Sequence, residues 1–207
     1  MTNNYCTSTD AFADMSEGNY SSSDFPEMEG FVTSASRLID AQFGVEPGFF
    51  CPTTDSVSRY YDGSGCDEQD IDPFASISEV AVAEQGGTES TDYTAWSSSD
   101  WIASPYNYTS RHRPITKLVI DPNGNKIGFN RFRKSVRITG IPGWSTSTPD
   151  LIASAARRQS IRWFMQAKQA YQDMGMSVEA GGLKFSKSEL DKDVQQMLRP
   201  FLLELSE

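Results

Sequence analysis

The feature that most constrains the fold is a change of hydrophobic rhythm along the chain. Apolar residues recur at helical spacing near both ends, whereas from Val45 to Ser147 they fall into short runs broken by Gly, Pro, Asn and Asp. Near the start, Asp24 and Glu27 make a capping-box-like opening, and Met28, Phe31, Val32, Ala35, Leu38, Ile39 and Phe43 follow three or four apart until Gly44. This spacing predicts an amphipathic helix with one buried stripe. A shorter helix is expected over residues 10–15, capped by Thr9, with Phe12 and Met15 on one side and Gly18 as its stop. Helical spacing returns at Thr148-Pro149-Asp150, a Thr cap with Pro in the first helical position and an acid in the first turn, and is expected to run to Met174. Its inner face of Ile152, Ala155, Ala156, Gln159, Trp163, Ala167 and Ala170 is partly small, so another helix can approach closely; Arg157, Arg158, Arg162 and Lys168 mark the polar side. A last helix is expected from Ser186, with Glu189 completing a capping box and Leu190, Val194, Met197, Leu198 and Phe201 as its stripe. Pro200 removes a backbone donor near its end, so residues 200–207 are expected to leave it as an apolar tail.

The middle reads as antiparallel β structure. Expected strands are Val57 to Tyr61, Ser76 to Ala83, Thr116 to Ile120 and Ser135 to Gly140, with Asp121-Pro122-Asn123-Gly124 turning the last two into a hairpin. Gln85 to Ser99 is polar and rich in Ser, Thr and Gly, which predicts a mobile loop. The fold class is therefore α+β: a helical bundle formed by the N- and C-terminal segments, with an inserted antiparallel β domain. Its expected parts are an N-terminal tail 1–8, helical parts 9–44 and 148–199, the β domain 45–147, and a C-terminal tail 200–207.

Composition narrows the functional classes. With 207 residues, 38% of them hydrophobic, the chain can bury one sizeable core or one core and a small satellite. No stretch approaches the roughly 18 apolar residues of a membrane helix, and Met1-Thr2-Asn3-Asn4-Tyr5 lacks the basic and apolar regions of a signal peptide, so a soluble protein without a membrane partner is expected. Cys6, Cys51 and Cys66 are odd in number and without a CxxC pair, which favours reduced thiols over a disulfide framework or a zinc site.

A hydrolase needs a nucleophile and an oriented base. The only histidine, His112, stands between Arg111 and Arg113, where cationic neighbours disfavour its protonation. The acidic run Asp67-Glu68-Gln69-Asp70-Ile71-Asp72 lacks the ligand order of an EF-hand, and strand alternation is expected to split its acids between two faces. Asp62-Gly63-Ser64-Gly65 reads as a reversal rather than a dinucleotide fingerprint. No catalytic, metal or cofactor site is expected. Trp96, Trp101, Tyr106 and Tyr108 can stack on a sugar or a base, or fill a small β core. Arg131, Arg133, Lys134 and Arg137 alternate as on a strand, a pattern suited to a protein interface or to phosphate.

Charge is divided along the chain. Residues 1–100 hold 2 basic against 19 acidic side chains, and residues 101–207 hold 16 against 9, within a net charge of −10. Such a division either decorates solvated faces and serves solubility, or lets the chain attract its own copy head to tail and close a ring, with Arg131, Arg133, Lys134, Arg137, Arg157, Arg158 and Arg162 at the subunit interface.

The run Ala35-Ser36-Arg37-Leu38-Ile39-Asp40-Ala41-Gln42-Phe43-Gly44, followed by Gly48-Phe49-Phe50, Arg59-Tyr60-Tyr61-Asp62-Gly63, Val136-Arg137-Ile138-Thr139-Gly140 and Gly143-Trp144, resembles tailed-phage head–tail connector proteins. So does the end, where Pro149 opens a helix with Ala155, Ala156, Gln159 and Trp163-Phe164, and Asp193-Val194 leads to Leu198-Arg199-Pro200-Phe201. The likeness spans residues 9–203 and lies in the order and spacing of short motifs; the very acidic front half and the long Ser/Thr-rich insert depart from it. The resemblance implies a non-enzymatic adaptor in the neck of the virion, present in the host cytoplasm during assembly. It implies a ring, expected to be a dodecamer, beneath the portal protein, touching further neck or tail proteins and passing genome DNA through its lumen without reading its sequence. Arg199, Phe201, Leu202 and Leu203 are then the expected portal contact. The alternative is a β module of a virion or cell-surface protein that binds carbohydrate through the Trp96 to Tyr108 aromatics.

Overall fold

A computed structural model describes residues 3–15, 21, 23–51, 55–87, 92–173 and 190–205, with the backbone alone for 169–173 and 202–205. Two compact units result: Met1–Gly48 with Thr148–Glu207, and Phe49–Ser147. The first is helical and joins both ends of the chain; the second is a β unit inserted between them. The chain is thus α+β.

Helix α1 spans Ser8–Asp14 and is capped by Thr7, two residues earlier than the expected Thr9. The Thr7 hydroxyl accepts from Asp10 N–H and the Asp10 carboxylate accepts from Thr7 N–H, a complete capping box. Helix α2, Asp24–Phe43, ends on Gly44 at φ 65°, the left-handed conformation that closes a helix with least strain in glycine. After the short α3 (Tyr108–Arg111) in the middle of the chain, helix α4 spans Asp150–Asp173 and α5 spans Lys192–Leu205. Ala153 N–H donates to Pro149 O, so Pro149 stands just outside α4 rather than inside it.

Ala11, Phe12, Met28, Val32 and Phe164 form the aromatic end of the helical core, where Phe12 meets Phe164 edge-on at 5.5 Å. Further along, Ala155 and Ala156 are fully buried and give α4 the narrow face on which α2 packs. Phe164, not Trp163, is the buried aromatic of this face. Buried Gln159 is satisfied: its Oε1 accepts from Asp191 N–H at 3.1 Å, tying α4 to the start of α5.

Leu190 is buried but precedes α5, while Ser186 and Glu189 lie outside the described residues. The helix does not end at Pro200: it continues to Leu205, so residues 200–205 are helical rather than a departing tail. Proline forfeits one bond there, and the stripe of Val194 and Leu198, buried against the unit, outweighs that loss.

The β unit is a six-stranded antiparallel sheet in the order β1-β6-β2-β5-β4, with β3 also on β2. Its strands are β1 (Val57–Tyr61), β2 (Glu68–Ala83), β3 (Tyr93–Ala95), β4 (Trp101–Ser104), β5 (Ile115–Ile120) and β6 (Val136–Pro142). β2 is twice the expected length. Its first part pairs with β5 and its second with β6, and the register shifts near Pro73, which has no N–H to give a ladder. The expected β5–β6 hairpin is not formed, because β2 lies between them; the turn at Asp121–Gly124 instead opens a long connection. β3 falls inside the stretch expected as a mobile loop, held by pairing Tyr93 with Ala83. Phe74, Val80, Ile115, Leu118, Phe129, Val136 and Ile138 fill the core of this unit.

Candidate functional site

In the β unit Lys126, Arg131, Arg133 and Lys134 gather on the connection from β5 to β6. Its backbone is fastened at every turn. Asn125 N–H donates to Asp100 Oδ1 at 2.9 Å, and Phe129 N–H to Cys66 O at 2.8 Å. The Phe129 ring, 2% exposed, stacks on Trp96 at 5.0 Å. Asn130 Nδ2 donates to Ala83 O at 3.1 Å, Gly63 N–H to Phe132 O at 3.0 Å, Gly87 N–H to Lys134 O at 3.0 Å, and Lys134 N–H to Asp62 Oδ1 at 2.7 Å. A Cβ on Gly63 would stand 1.7 Å from Asn130 O, which explains the glycine in that reversal. The motif Asp62-Gly63 therefore clamps this connection.

What the connection presents is basic and apolar. Ile127 is 96% exposed and Phe132 49%, and Arg131, Arg133 and Lys134 are exposed around them. These three cations do not alternate along a strand as expected; the backbone turns there, with Lys134 at φ 53°. Only Arg137 is on a strand, where it pairs with Glu79 at 2.6 Å and lies 5.0 Å from the centre of the Tyr93 ring. Lys134 lies 4.9 Å from the Tyr60 ring, and Tyr60 and Tyr93 are neighbours at 5.6 Å, so Lys134 and Arg137 flank one aromatic pair. Arg131 and Arg133 make no ion pair among the described residues.

In the helical unit Arg157, Arg158, Arg162 and Lys168 are engaged. Arg157 pairs with Asp14 at 3.0 Å, Arg158 with Asp193 at 3.6 Å, and Arg162 with Asp191 and, at 3.9 Å, Asp193. Lys168 reaches Asp24 at 2.7 Å and Glu27 at 3.0 Å. Its hydrogen bond, followed by those from Ser21, holds the Asp24 carboxyl below its usual range. With Lys117 on Glu68 and Asp70, and Arg137 on Glu79, many acids of the front half meet bases of the back half within one chain. Part of the charge division thus serves internal pairing.

Arg158, Ile161, Arg162, Asp191, Asp193 and Val194 line a groove of about 410 Å³ between α4 and α5. Arg199 is exposed and Phe201 half-buried on α5; the side chains of Leu202 and Leu203 lie outside the described residues.

The remaining candidates have structural places. Trp96, Trp101 and Tyr108 pack on the β core, and of the four aromatics considered for stacking only Tyr106 is exposed. Glu68, Asp70 and Asp72 occupy alternate positions of β2 and share one face, contrary to the expected split, while Gln69 and Ile71 are buried on the other. His112 is an exposed residue at φ 51° after α3. Among the described residues no group of three His, Cys, Asp or Glu is placed to hold a metal ion, and no helix is long and apolar enough to cross a membrane.

Asp40, quoted only as part of a motif, proves to be a junction. It is buried, and it accepts from Tyr5 Oη and from Gly48 N–H at 3.2 Å, with Arg37 Nε at 3.3 Å. Burial pushes its carboxyl up, against the opposing pull of Tyr5, Gly48 and Arg37. Arg37 also donates to Asn3 O at 2.6 Å, so the motif Arg37-x-x-Asp40 anchors the N-terminal strand of chain to α2. Buried Asp100 does the same for the β unit, accepting from Ser97 and Asn125 N–H groups.

No protein-family model and no curated protein matches the chain. Among solved structures, it is similar to a chain in the neck of an empty gene transfer agent particle computed with C6 symmetry, at 12% identity and TM-score 0.46 over 92% of this chain and 87% of that one. It is also similar to a chain in the virion of a native gene transfer agent particle, at 13% identity and TM-score 0.44 over 92% and 87%. A third is in the neck of a native particle computed with C12 symmetry, at 14% identity and TM-score 0.40 over 81% of each chain.

Proposed function

We propose that this protein is a non-enzymatic structural component of the neck of a phage-like virion, an adaptor that forms a ring beneath the portal and joins the head to the tail. The observation that carries the reading is the placement of the connector-like motifs at the framework of each unit. Arg37 and Asp40 lock the helical unit, and Gly63 closes against the β5–β6 connection. Phe49, Phe50 and Trp144 cluster at the two ends of the β insert, with Phe50 and Trp144 at 5.6 Å and Trp144 N–H donating to Phe49 O. Such residues build a scaffold rather than a reaction centre.

In this reading α5 carries the portal contact through Arg199, Phe201, Leu202 and Leu203, further neck or tail proteins meet other faces, and DNA passes through the lumen. The subunit interface draws on Arg131, Arg133 and Lys134, with Arg137 beside them held by Glu79 of its own chain. Arg157, Arg158 and Arg162 support it indirectly, since their partners lie within the protomer. The lumen is then lined by Asp, Glu and Ser rather than by these cations, because repeated inward arginines grip phosphate through counterion release. The carbohydrate-binding alternative is weakened by Trp96, Trp101 and Tyr108 packing on the core.

Depletion of the chain during particle assembly tests the reading. DNA-filled heads and free tails that fail to join are the expected product. Normally joined particles without the chain contradict it.

A further inference from the structure

The fastened connection between β5 and β6 has a shape and chemistry that its own unit does not use. We propose that residues 126–134 are a docking knob for a second copy of this chain, received on the acidic face of β2 that carries Glu68, Asp70 and Asp72. The inference rests on the ring reading above for its occupant.

Three observations lead to it. The knob is held in shape by Phe129, Asp62, Asp100, Cys66 and Ala83, so a partner meets a preformed surface and little ordering entropy opposes binding. It exposes Ile127 and Phe132 beside Arg131 and Arg133, and no acidic residue lies between Asp121 and Asp150. Cations alone suit phosphate, but two apolar side chains among them suit a protein surface, which favours a protein over DNA. The charge of the recipient is the third. The rest of the chain is strongly acidic, and on β2 the three carboxylates share one face, with Asp70 88% exposed and its cation, Lys117, 3.6 Å away and already 2.7 Å from Glu68. Arg59 meets Asp72 at 3.2 Å. The face thus has three carboxylates against two cations and retains negative charge.

Knob and face are distinct sets of residues in one unit, so a contact between them is head to tail and propagates from copy to copy; a closing rotation makes it a ring. Basic knob on acidic face also fixes direction, because face against face and knob against knob repel.

The test uses two charge-reversed variants of the full chain, Arg131→Glu with Arg133→Glu, and Glu68→Lys with Asp70→Lys. All four positions are exposed or partly exposed on the surface, and circular dichroism with a thermal melt checks that each variant is folded. Self-association of purified protein is followed by analytical ultracentrifugation at low salt. Each variant alone is expected to associate at least tenfold more weakly than the wild type. Mixed in equal amounts, the two should recover association to within about threefold, since every interface then pairs a glutamate knob with a lysine face or the native pair. Ile127→Ser should weaken association without changing its salt dependence. A wild-type chain that stays monomeric, reversals that leave association unchanged, or a mixture no better than its components overturns the proposal. So does protection of the knob by a different neck protein, or by DNA, in assembled particles. Because the assay contains only this chain, its failure leaves the joining of heads to tails to be judged separately by the depletion experiment.

Discussion

Replacing Phe129 with alanine strikes the fastening of the β5–β6 connection. The ring is 2% exposed and stacked at 5.0 Å on Trp96, so truncation removes a buried aromatic from the edge of the core and leaves its space unfilled. Phe→Ala changes at such sites cost about 3–5 kcal/mol. For a chain of this size 1 kcal/mol corresponds to roughly 2–4 °C, which places the expected fall in melting temperature at about 6–20 °C. The connection has polar ties as well, from Asn130, Gly63, Gly87 and Lys134, so the backbone should remain attached while the knob loses rigidity. Urea unfolding measures the loss, and hydrogen exchange at residues 125–134 shows whether protection falls there more than in β2 and β6. A loss below about 1 kcal/mol, or exchange that rises uniformly over the sheet, would refute the view that Phe129 pins this connection.

Deleting residues 200–207 should leave a folded protein that no longer retains portal protein in a pull-down, and undiminished retention would exclude the end of α5 as the contact. Asp24 contributes stability that is present above its unfolded value of 3.8 and lost as pH falls through its lower folded value, so Asp24→Asn should melt below the wild type at neutral pH and converge with it below about pH 4. Asp40 acts with the opposite sign, its contribution being lost as pH rises through its raised folded value, and melting curves of Asp40→Asn over the same range separate the two. Burial pushes the Cys6 thiol up to about 12, whereas Cys66 is exposed; native alkylation at pH 8 followed by mass spectrometry should label Cys66 first and Cys6 only after unfolding.

The helices were the legible part of this sequence. In α2 the apolar spacing, the acidic first turn and Gly44 all state the same element; its end at Gly44 agrees with the structure, whereas the expected capping box of Asp24 and Glu27 is not formed, since Ser23 precedes the helix without a side-chain cap and Asp24 is its first residue. The caps are less legible, because Thr7 and Thr9 are equally plausible by type and only the return bond from Asp10 decides between them. In the β unit, local signals located strands but not partners. Asp121–Gly124 has the chemistry of a tight turn and forms one, yet β2 takes the place beside both β5 and β6, a choice made by long-range packing. In the acidic run Glu68, Asp70 and Asp72 share one exposed face, and its continuation past Pro73 into one long strand depends on a register shift that no local residue pattern announces. The site was legible as a set of cations, not as a shape: Arg131 and Arg133 were grouped with Arg137 by spacing, while the turn at Lys134 separates them. Asp40 and Asp100 were hidden because a buried carboxylate that serves backbone N–H groups is identical in sequence to an exposed one.

The adaptor reading is tested most directly by reconstructing the neck of the assembled particle at a resolution that traces side chains. The account predicts this chain as a closed ring directly beneath the portal, with α5 directed to the portal and Arg131, Arg133, Lys134 and Arg137 turned to protein neighbours. Absence of the chain from the junction between portal and tail would contradict it, and the four cations lining the narrowest part of the lumen would contradict its account of the charges.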